Sequence, residues 1–498
     1  MNILVVTGKM AENAVKKAVQ DEADVLVLDI EIAAFVTPSL LGRSLPGKKY
    51  DLMLVSGLGS GDFSKLEKEL GTSIRLGPKH AVDLDFVLSF ADSLTFSTKV
   101  PACELLLGKR RSSAFEKIRE LEERSVSPIT LKGLKLGGNS RMKVMAEIVD
   151  AGHLSKQELT NQILYFVEKG ADIIDLGISL DTTLQEVRAS VETAKAVANV
   201  PLSIDTLDPL LINTALDSGV DIVLSLNSEN INEVKENVIR HNAAAVVIPD
   251  CSCDLESLFN NIESARNSGI INIIADPVLE PFGSGLVESI NRYYEFRKRD
   301  PGTPLFFGAG NVTELMDADS IGINAMLSGI AMELEASILF TPEYSDKAHD
   351  SVSELKTASM MMMLARGRGS APKDLGVDLL AIKEKRRREF ASMPENFIEA
   401  KGSKEWHLDP AGCFKIDITG DEIRDGKLVP GKIVVKNTPY LNTGTHAIAG
   451  STAKEVLDTI IELGLVSRLD HAAYLGRELM KAELALKFKR SYSQDDRF

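Results

Sequence analysis

The stretch Gly170-Ala171-Asp172-Ile173-Ile174-Asp175-Leu176-Gly177 predicts a short buried β-strand that ends near a carboxylate. A second strand with the same kind of ending follows at Pro201-Leu202-Ser203-Ile204-Asp205-Thr206, beyond a segment with a helical pattern. Parallel strands joined by helices are buried on both faces and therefore show continuous apolar runs of this kind. The two stretches place the centre of the chain in the α/β class.

The alternation of strand and helix continues along the centre of the chain. The predicted strands lie at residues 144–148, 172–176, 202–205, 221–226, 244–249, 271–276, 305–308 and 322–325. Eight strands within about 200 residues match a (β/α)8 barrel, and a doubly wound sheet fits the alternation nearly as well. Polar residues that recur at the strand ends favour the barrel.

These strand-end residues are Asp175, Asp205, Asn227, Asp250, Asp276, Asn311 and Asn324. The carboxyl ends of barrel strands meet at one mouth, which is where barrel enzymes place their sites. A single Asp or Asn at such a position is as often the cap of the next helix as a ligand contact. Seven together favour a shared binding site.

The rest of the chain predicts further domains. We expect an N-terminal Rossmann-like or flavodoxin-like parallel α/β domain at residues 1–125, the barrel at 138–345, a helical linker at 346–400 and a small C-terminal α+β domain at 401–498. Glycines at 57–61 follow a predicted strand and indicate either a phosphate loop or a plain turn, since they match no established nucleotide motif. A basic run at 383–388 predicts a second linker helix.

Composition argues against several classes of partner. The 498 residues carry a formal net charge of -15, which disfavours nucleic acid because its binding requires a basic face. No window approaches the ~18 uninterrupted apolar residues of a membrane span, and no basic leader precedes the first strand. Four cysteines, including the Cys251-x-Cys253 pair, match neither a disulfide framework nor a zinc site. We therefore expect a cytoplasmic protein without nucleic-acid or membrane partners, and the sequence names no set of metal ligands.

Three motifs resemble one family. Gly-Ala-Asp-Ile-Ile-Asp at 170–175, Ser-Ile-Asp-Thr at 203–206 and Asp276-Pro277 are similar to the pterin-binding domains of dihydropteroate synthases and of methyltetrahydrofolate:corrinoid methyltransferases. The order of the domains is most similar to that of archaeal dihydropteroate synthase-related proteins. The resemblance implies a reduced pterin as substrate or ligand, held by Asp205 and Asn227 together with Asp276.

The chemistry of the pterin ring suits these residue types. N3–H and the 2-amino group are adjacent donors, and an ionised carboxylate accepts both. An amide donates and accepts at once, which suits the mixed edge around N1, N8 and the ring carbonyl. Asn311 matches an asparagine that the methyltransferases place near N5, and Asn324 is expected beside it at the eighth strand.

The chain departs from true synthases where they bind phosphate. The run at 307–313 lacks the synthase lysine, and the run at 322–325 lacks the synthase Arg-x-His. Release of pyrophosphate requires a cationic or metal clamp. Further candidates for mouth or phosphate contacts are Asp175, Asp250, Arg366 and Arg368, and Mg2+ held through substrate phosphates and Asp residues is an additional candidate.

Three functions remain open. The first hypothesis is a dihydropteroate synthase-like transferase that joins a dihydropterin-methyl diphosphate to an arylamine, in synthesis of folate-type or tetrahydromethanopterin-type cofactors. The second is a pterin-dependent methyltransferase that works with a separate corrinoid protein. The third is a non-catalytic pterin-binding carrier. The sequence assigns no catalytic residue, and we expect a homodimer.

Overall fold

A computed structural model describes residues 1–251, 254–383, 393–402, 405, 407–440 and 445–496. Cys253 and the basic run beyond Lys383 lie outside these described residues. The chain divides into two compact units, Met1–Arg124 with Met360–Asp378, and Ser125–Ser359 with Leu379–Phe498. Among the described helices, none combines the length and the apolar character needed to cross a membrane.

The first unit is built on a parallel sheet. Its strands are β1 (Ile3–Thr7), β2 (Asp24–Val27), β3 (Leu52–Val55) and β4 (Ser73–Leu76). Its helices are α1 (Glu12–Val19), α2 (Pro38–Ser44), α3 (Ser64–Leu70), α4 (Leu84–Leu88), α5 (Ala102–Leu105) and α6 (Leu107–Arg124). The strands pair in the order β2-β1-β3-β4, which confirms an N-terminal parallel α/β domain. Strand β4 escaped prediction because only alternate residues in it are buried, so it shows no continuous apolar run.

The glycine-rich turn after β3 has a structural explanation. The N–H of Gly57 donates to the carbonyl of Pro78 at 3.0 Å. A Cβ at Gly57 would lie 2.5 Å from the carbonyl oxygen of Gly77, so the close approach of two backbone segments excludes a side chain here. This contact accounts for Gly57 without a bound phosphate.

The second unit contains the barrel, preceded by a hairpin of β5 (Ile129–Leu131) and β6 (Leu134–Leu136). The barrel strands are β7 (Lys143–Ile148), β8 (Ile173–Gly177), β9 (Leu202–Asp205), β10 (Ile222–Leu226), β11 (Ala244–Val247), β12 (Ile273–Ala275), β13 (Phe306–Phe307) and β14 (Ile338–Thr341). They are parallel and pair in the order β12-β11-β10-β9-β8-β7-β14-β13. A parallel bridge between Ala275 and Leu305 joins the two ends of this sheet. The predicted (β/α)8 barrel is confirmed.

Helices follow the barrel strands, and several begin with a side-chain cap. They are α7 (Lys156–Lys169), α8 (Leu184–Val197), α9 (Pro209–Ser218), α10 (Ile231–Arg240), α11 (Leu255–Asn267), α12 (Leu286–Arg299), α13 (Gly310–Thr313), α14 (Ser320–Glu333) and α15 (Ser351–Arg368). Ser155 and Thr183 form capping boxes at the starts of α7 and α8, and Asp208 caps α9. These caps satisfy backbone N–H groups that have no partner within the helix. The helices therefore start directly after the mouth loops.

One predicted strand is wrong. Residues 322–325 lie inside α14, and the eighth barrel strand is β14 instead. A short apolar run does not distinguish a buried helix from a buried strand, and α14 is apolar around most of its circumference. Asn324 consequently moves from a strand end to the interior of a helix.

The interior of the barrel is mainly apolar away from the mouth, although Lys143 is buried at the start of β7, where its ammonium donates to the carbonyl of Arg141. Inward residues such as Met145, Ile222 and Phe306 form one buried cluster with Ile129 and Leu136 of the preceding hairpin. The hairpin thereby covers the amino-terminal end of the barrel, and burial of this cluster stabilises the closed sheet. The carboxyl end is left for polar side chains.

The C-terminal part of the second unit is a small α+β domain, as predicted. Its strands are β15 (Cys413–Ile418), β16 (Glu422–Arg424), β17 (Lys427–Val429), β18 (Ile433–Thr438) and β19 (His446–Gly450), and its helices are α16 (Ala453–Glu462) and α17 (Leu469–Lys487). Strands β15, β18 and β19 form an antiparallel sheet, and β16 pairs with β17. The helices cover one face of the sheet through a shared core that includes Ile416, Val435, Val456 and Leu479.

Candidate functional site

Strand register places carboxyl groups on the inner face of the barrel mouth. Glu147 on β7 lies opposite Asp175 on β8, and Asp175 lies opposite Ser203 on β9. Asp205 stands two residues beyond Ser203 and therefore points to the same side of the sheet. Met145, two residues before Glu147, belongs to the apolar interior. The same alternation directs the three carboxyl groups into the barrel.

These three residues, Glu147, Asp175 and Asp205, form what we call the carboxyl cluster. One oxygen of each lies within 4.8 Å of the other two. Gly177 makes room for the cluster, because a Cβ there would lie 2.5 Å from Oε1 of Glu147. The Asp175 side chain is 0% exposed, with Oδ1 accepting a hydrogen bond from the hydroxyl of Ser203. Its Oδ2 accepts none from any described residue.

Burial and mutual repulsion raise the pKa of every group in the cluster. Burial, with added repulsion from Asp205 and Glu147, raises the pKa of Asp175 well above its ordinary value. Burial and the nearby charge of Asp205 raise the pKa of Glu147 to about 7. Burial and the charge of Asp276 raise the pKa of Asp205 to about 6. The cluster favours a ligand that brings positive charge or hydrogen-bond donors.

Asp276 follows strand β12 and has one oxygen in use. Its Oδ1 accepts hydrogen bonds from the hydroxyl of Tyr293 and the N–H of Val278, both at 2.8 Å. Its Oδ2 accepts no hydrogen bond from the described residues. Burial raises the pKa of Asp276 to about 6, although the bonds from Tyr293 and Val278 act in the opposite direction. Near neutral pH the ionised group offers one carboxylate oxygen to a ligand.

Two asparagines are held by the backbone so that one end of each amide stays available. Oδ1 of Asn227 accepts the N–H of Glu229 at 3.0 Å, which leaves Nδ2 as a donor. Nδ2 of Asn311 donates to the carbonyl of Leu279 at 2.8 Å, which leaves Oδ1 as an acceptor. The two amides therefore offer complementary groups.

Asn324 serves the structure of the barrel. Its side chain is 0% exposed within α14. Its Oδ1 accepts the hydroxyl of Thr313 at 2.9 Å, and its Nδ2 donates to Ser351 at 3.1 Å and to Glu354 at 2.8 Å. The side chain of Asn324 therefore makes its hydrogen bonds inside the protein. It does not lie at the strand end where the sequence predicted it.

Asp250 joins two mouth loops. It accepts hydrogen bonds from the N–H of Ser228 and from Nδ2 of Asn261, each at 3.0 Å. Although burial acts to raise it, these bonds lower the pKa of Asp250. Asp250 is exposed and lies outside the carboxyl cluster.

The two arginines that we predicted as phosphate contacts lie in the last turn of α15, within the first unit. The guanidinium of Arg368 binds Oδ1 of Asp83 at 3.2 Å and the carbonyls of Ala371 and Lys373 at 3.0 and 2.6 Å. Arg366 is exposed. Their role at the mouth stays a prediction.

The loops around the mouth are strongly acidic. They cover residues 149–155, 178–183, 206–208, 227–230, 248–254, 276–285, 308–319 and 342–350. In the sequence of these loops Lys347 is the only Lys or Arg, and its ammonium pairs with Asp317 at 2.6 Å. Arg292 reaches the mouth from α12, where it donates to the carbonyls of Pro277 and Val278. Both cations are thus engaged within the protein.

Glu147 is the member of the site that the sequence analysis missed. Glu147 interrupts a run that is otherwise apolar from Val144 to Ile148, and a carboxylate within such a run is the signal that could have identified it. The carboxyl cluster is also a candidate site for Mg2+, an ion that the sequence suggested. Carboxylate oxygens are the ligands that Mg2+ prefers, so the residues present fit this ion.

Family models match three parts of the chain. The model described as "Pterin binding enzyme" matches residues 146–270. "PterinBD-DUF4346" matches residues 408–495, and "Family of unknown function (DUF6513)" matches residues 1–79. The first match contains the whole carboxyl cluster together with Asn227.

Comparison with individual proteins extends these matches. "Uncharacterized protein MJ0107" of Methanocaldococcus jannaschii is 38% identical over 526 residues, covering 99% of this chain and 98% of the relative. The acetyl-CoA decarbonylase/synthase complex subunit gamma 2 of Methanosarcina thermophila is 22% identical over 287 residues, covering 52% of this chain and 60% of the relative. The solved structure of Yersinia pestis dihydropteroate synthase with a pterine-sulfa conjugate has a TM-score of 0.40 and 19% identity, covering 48% of this chain and 98% of that chain. The first relative matches nearly the full length of this chain.

Proposed function

We propose that the mouth of the barrel binds a reduced pterin and that the protein transfers a carbon group from this pterin, because the chain belongs to the dihydropteroate synthase-related family of pterin-binding proteins. The observation that supports this function is the set of available polar atoms on Asp205, Asn227 and Asp276. All three follow neighbouring or nearby strands of one barrel. A reduced pterin of the folate or tetrahydromethanopterin type supplies matching groups.

In this proposal the ring is held by hydrogen bonds. N3–H and the 2-amino group donate to a carboxylate, for which Oδ2 of Asp276 and the Asp205 side chain are available. Nδ2 of Asn227 donates to the acceptor edge of the ring. Hydrogen bonds to a charged group contribute about 1.5–3 kcal/mol each, so the two carboxylates supply most of the ring affinity.

The first reaction that we propose joins a dihydropterin-methyl diphosphate to an arylamine. The amine nitrogen forms a bond to the pterin methylene carbon, the carbon–oxygen bond breaks, pyrophosphate leaves with the electron pair, and the amine loses a proton. The chain contributes by holding the ring so that the methylene carbon meets the amine at the open mouth. Glu147, Asp175 and Asp205 are the residues that would hold Mg2+, which when bound supplies positive charge toward the diphosphate.

Transfer of a methyl group from pterin N5 to a separate corrinoid protein is the second candidate reaction. The orientation of Asn311 favours it. Because Nδ2 of Asn311 is fixed on the Leu279 carbonyl, the free Oδ1 can accept a hydrogen bond from a protonated N5. The acidic mouth loops favour it as well, since this reaction releases no anionic leaving group.

Calorimetric titration of the full-length protein separates these functions. The ligands are a dihydropterin alcohol, its diphosphate with and without Mg2+, and an N5-methyl tetrahydropterin. We expect the diphosphate with Mg2+ to bind best and an arylamine to be consumed stoichiometrically with pyrophosphate release. Preference for the N5-methyl ligand would replace the synthase reaction with methyl transfer. Tight binding without turnover of either kind would make the chain a carrier.

Failure of every pterin to bind would contradict the proposed function altogether. The homodimer and the cytoplasmic location that we expect from the sequence stay predictions.

A further inference from the structure

We propose that Glu147, Asp175 and Asp205 bind one divalent cation, Mg2+ or Mn2+, at the mouth of the barrel. Direct cation binding deepens the proposed function, in which these residues would hold Mg2+, and it can be tested without a pterin. Its use in the reaction rests on the proposed function.

The spacing of the three carboxyl groups suits an ion. Their nearest oxygens all lie within 4.8 Å of one another, and the described structure contains no hydrogen bond between them. Around an octahedral Mg2+ with ligands at about 2.1 Å, neighbouring oxygens are about 3 Å apart and opposite ones about 4.2 Å apart. The cluster is therefore close to the size that a bound Mg2+ or Mn2+ requires, since the limit of 4.8 Å lies a little above the separation of opposite ligands. Gly177 contributes by leaving open the space that Oε1 of Glu147 occupies.

A buried atom without a partner is the independent observation that points to a ligand. Asp175 is 0% exposed, and the hydroxyl of Ser203 satisfies only its Oδ1. Its Oδ2 is buried and accepts no hydrogen bond from any described residue. Leaving a carboxylate oxygen buried without a partner is unfavourable, so protein structures place a cation or a donor beside it.

Among the described residues, the cations at the mouth are engaged elsewhere and do not replace that cation. Lys347, the only Lys or Arg in the mouth loops, is paired with Asp317. The guanidinium of Arg292 donates to two backbone carbonyls. Asp150 and Glu314 add further negative charge near Glu147. A divalent cation would balance this charge once the carboxyl groups have lost their protons.

A second acidic group at the mouth differs in having partners. Glu343, His349 and Asp350 also lie close together. However, Glu343 accepts the hydroxyl of Tyr165 at 3.0 Å and the backbone N–H groups of Asp350 and Val352 at 2.8 and 2.9 Å. The ammonium of Lys169 pairs with Asp350 at 2.7 Å. Oδ1 of Asp350 has no hydrogen bond from the described residues, but the ammonium of Lys169 already supplies positive charge beside it, which the carboxyl cluster lacks.

The position of the cation would meet the needs of the proposed reaction. Its ligands come from β7, β8 and β9, which are neighbours in the sheet, whereas ring contacts extend to β10 and β12. The cation would thus lie at one flank of the ring. There it would provide the positive charge that a departing diphosphate requires and that the mouth loops do not.

Mn2+ titration followed by electron paramagnetic resonance tests cation binding directly. The free ion gives a sharp six-line signal that weakens on binding, so full-length, chelator-treated protein at pH 7.5 reports both stoichiometry and Kd. We expect one Mn2+ per chain, displaced by Mg2+. Asp175→Asn and Glu147→Gln should each raise the Kd at least tenfold. Asp317→Asn, an acid at the same mouth but outside the cluster, is the matched control and should leave the Kd unchanged.

The outcomes are distinguishable. No Mn2+ binding at millimolar concentration, or binding that both cluster variants leave intact, would overturn the inference. Loss of binding in Glu343→Gln but not in the cluster variants would move the site to the other acidic group. Thermal denaturation in chelator shows whether each variant folds. If Asp175→Asn does not fold, the Mn2+ affinity of Glu147→Gln alone tests the inference. Pterin titration of the same samples in chelator shows whether the proposed function fails independently of cation binding.

Discussion

Replacing Asp276 with asparagine alters one atom that would face the pterin and leaves the other contacts of this residue in place. In the native protein Oδ1 of Asp276 accepts hydrogen bonds from Tyr293 and Val278, both at 2.8 Å. An asparagine Oδ1 can accept both, while its Nδ2 takes the position of the available carboxylate oxygen. Because N3–H and the 2-amino group of a pterin are donors, they would then meet another donor.

The expected loss follows from the strength of such hydrogen bonds. One bond to a charged acceptor contributes about 1.5–3 kcal/mol. With 1.4 kcal/mol for each factor of ten, Asp276→Asn should raise the Kd for a dihydropterin by about 10- to 150-fold. Titration calorimetry at pH 7.5 is suitable, since this lies above the pKa of about 6 for Asp276.

Asp217→Asn is the matched control for this experiment. It makes the same chemical change at the end of α9 away from the mouth and should bind pterin like the native protein. If Asp276→Asn keeps native affinity and native thermal stability, the assignment of Asp276 to the pterin ring is refuted.

Three further predictions concern other parts of the same unit. Asn227→Asp converts the free Nδ2 donor into an acceptor, so pterin affinity should fall at least tenfold in calorimetry, and an unchanged Kd would contradict the orientation of this amide. Gly177→Ala places a Cβ 2.5 Å from Oε1 of Glu147, so Mn2+ affinity should fall several-fold while circular dichroism stays native; equal Mn2+ affinity would show that Glu147 is not a ligand. Burial raises the pKa of Glu354 from 4.5 to about 6. The folded protein therefore loses stability as the pH rises through 6, because Glu354 then ionises in its buried position. Glu354→Gln should be more stable than the native protein by up to about 2 kcal/mol at pH 8. That gain should vanish near pH 4.5 in calorimetric unfolding, and an equal gain at both pH values would contradict the titration of Glu354.

Much of the fold could be predicted because its signals are local. The first seven barrel strands are short and mainly apolar, most have a polar residue at or soon after their carboxyl end, and such a run identifies a buried parallel strand without knowledge of its neighbours. The eighth strand failed for a local reason too. The residues of α14 and β14 are both apolar, and only packing within the closed barrel shows which one forms the strand.

The site shows a similar division. Asp205, Asn227 and Asp276 could be predicted as candidates from the sequence because strand ends of one barrel converge and because their motifs resemble a known family. The sequence could not show which atoms of these side chains are available. That depends on hydrogen bonds such as the one from Glu229 to Asn227, which exist only once the loop has its native conformation.

The sequence by itself determined the α/β class, the order of the domains and the acidic, strand-end character of the mouth, because these follow from local patterns of apolar and charged residues. Only the tertiary structure decided that Glu147 joins Asp175 and Asp205 in one cluster. These residues lie on three separate strands, and the register between those strands, not any local pattern, brings their oxygens together. The same packing buries Asp175 Oδ2 without a partner, since Ser203 can reach only one of the two oxygens.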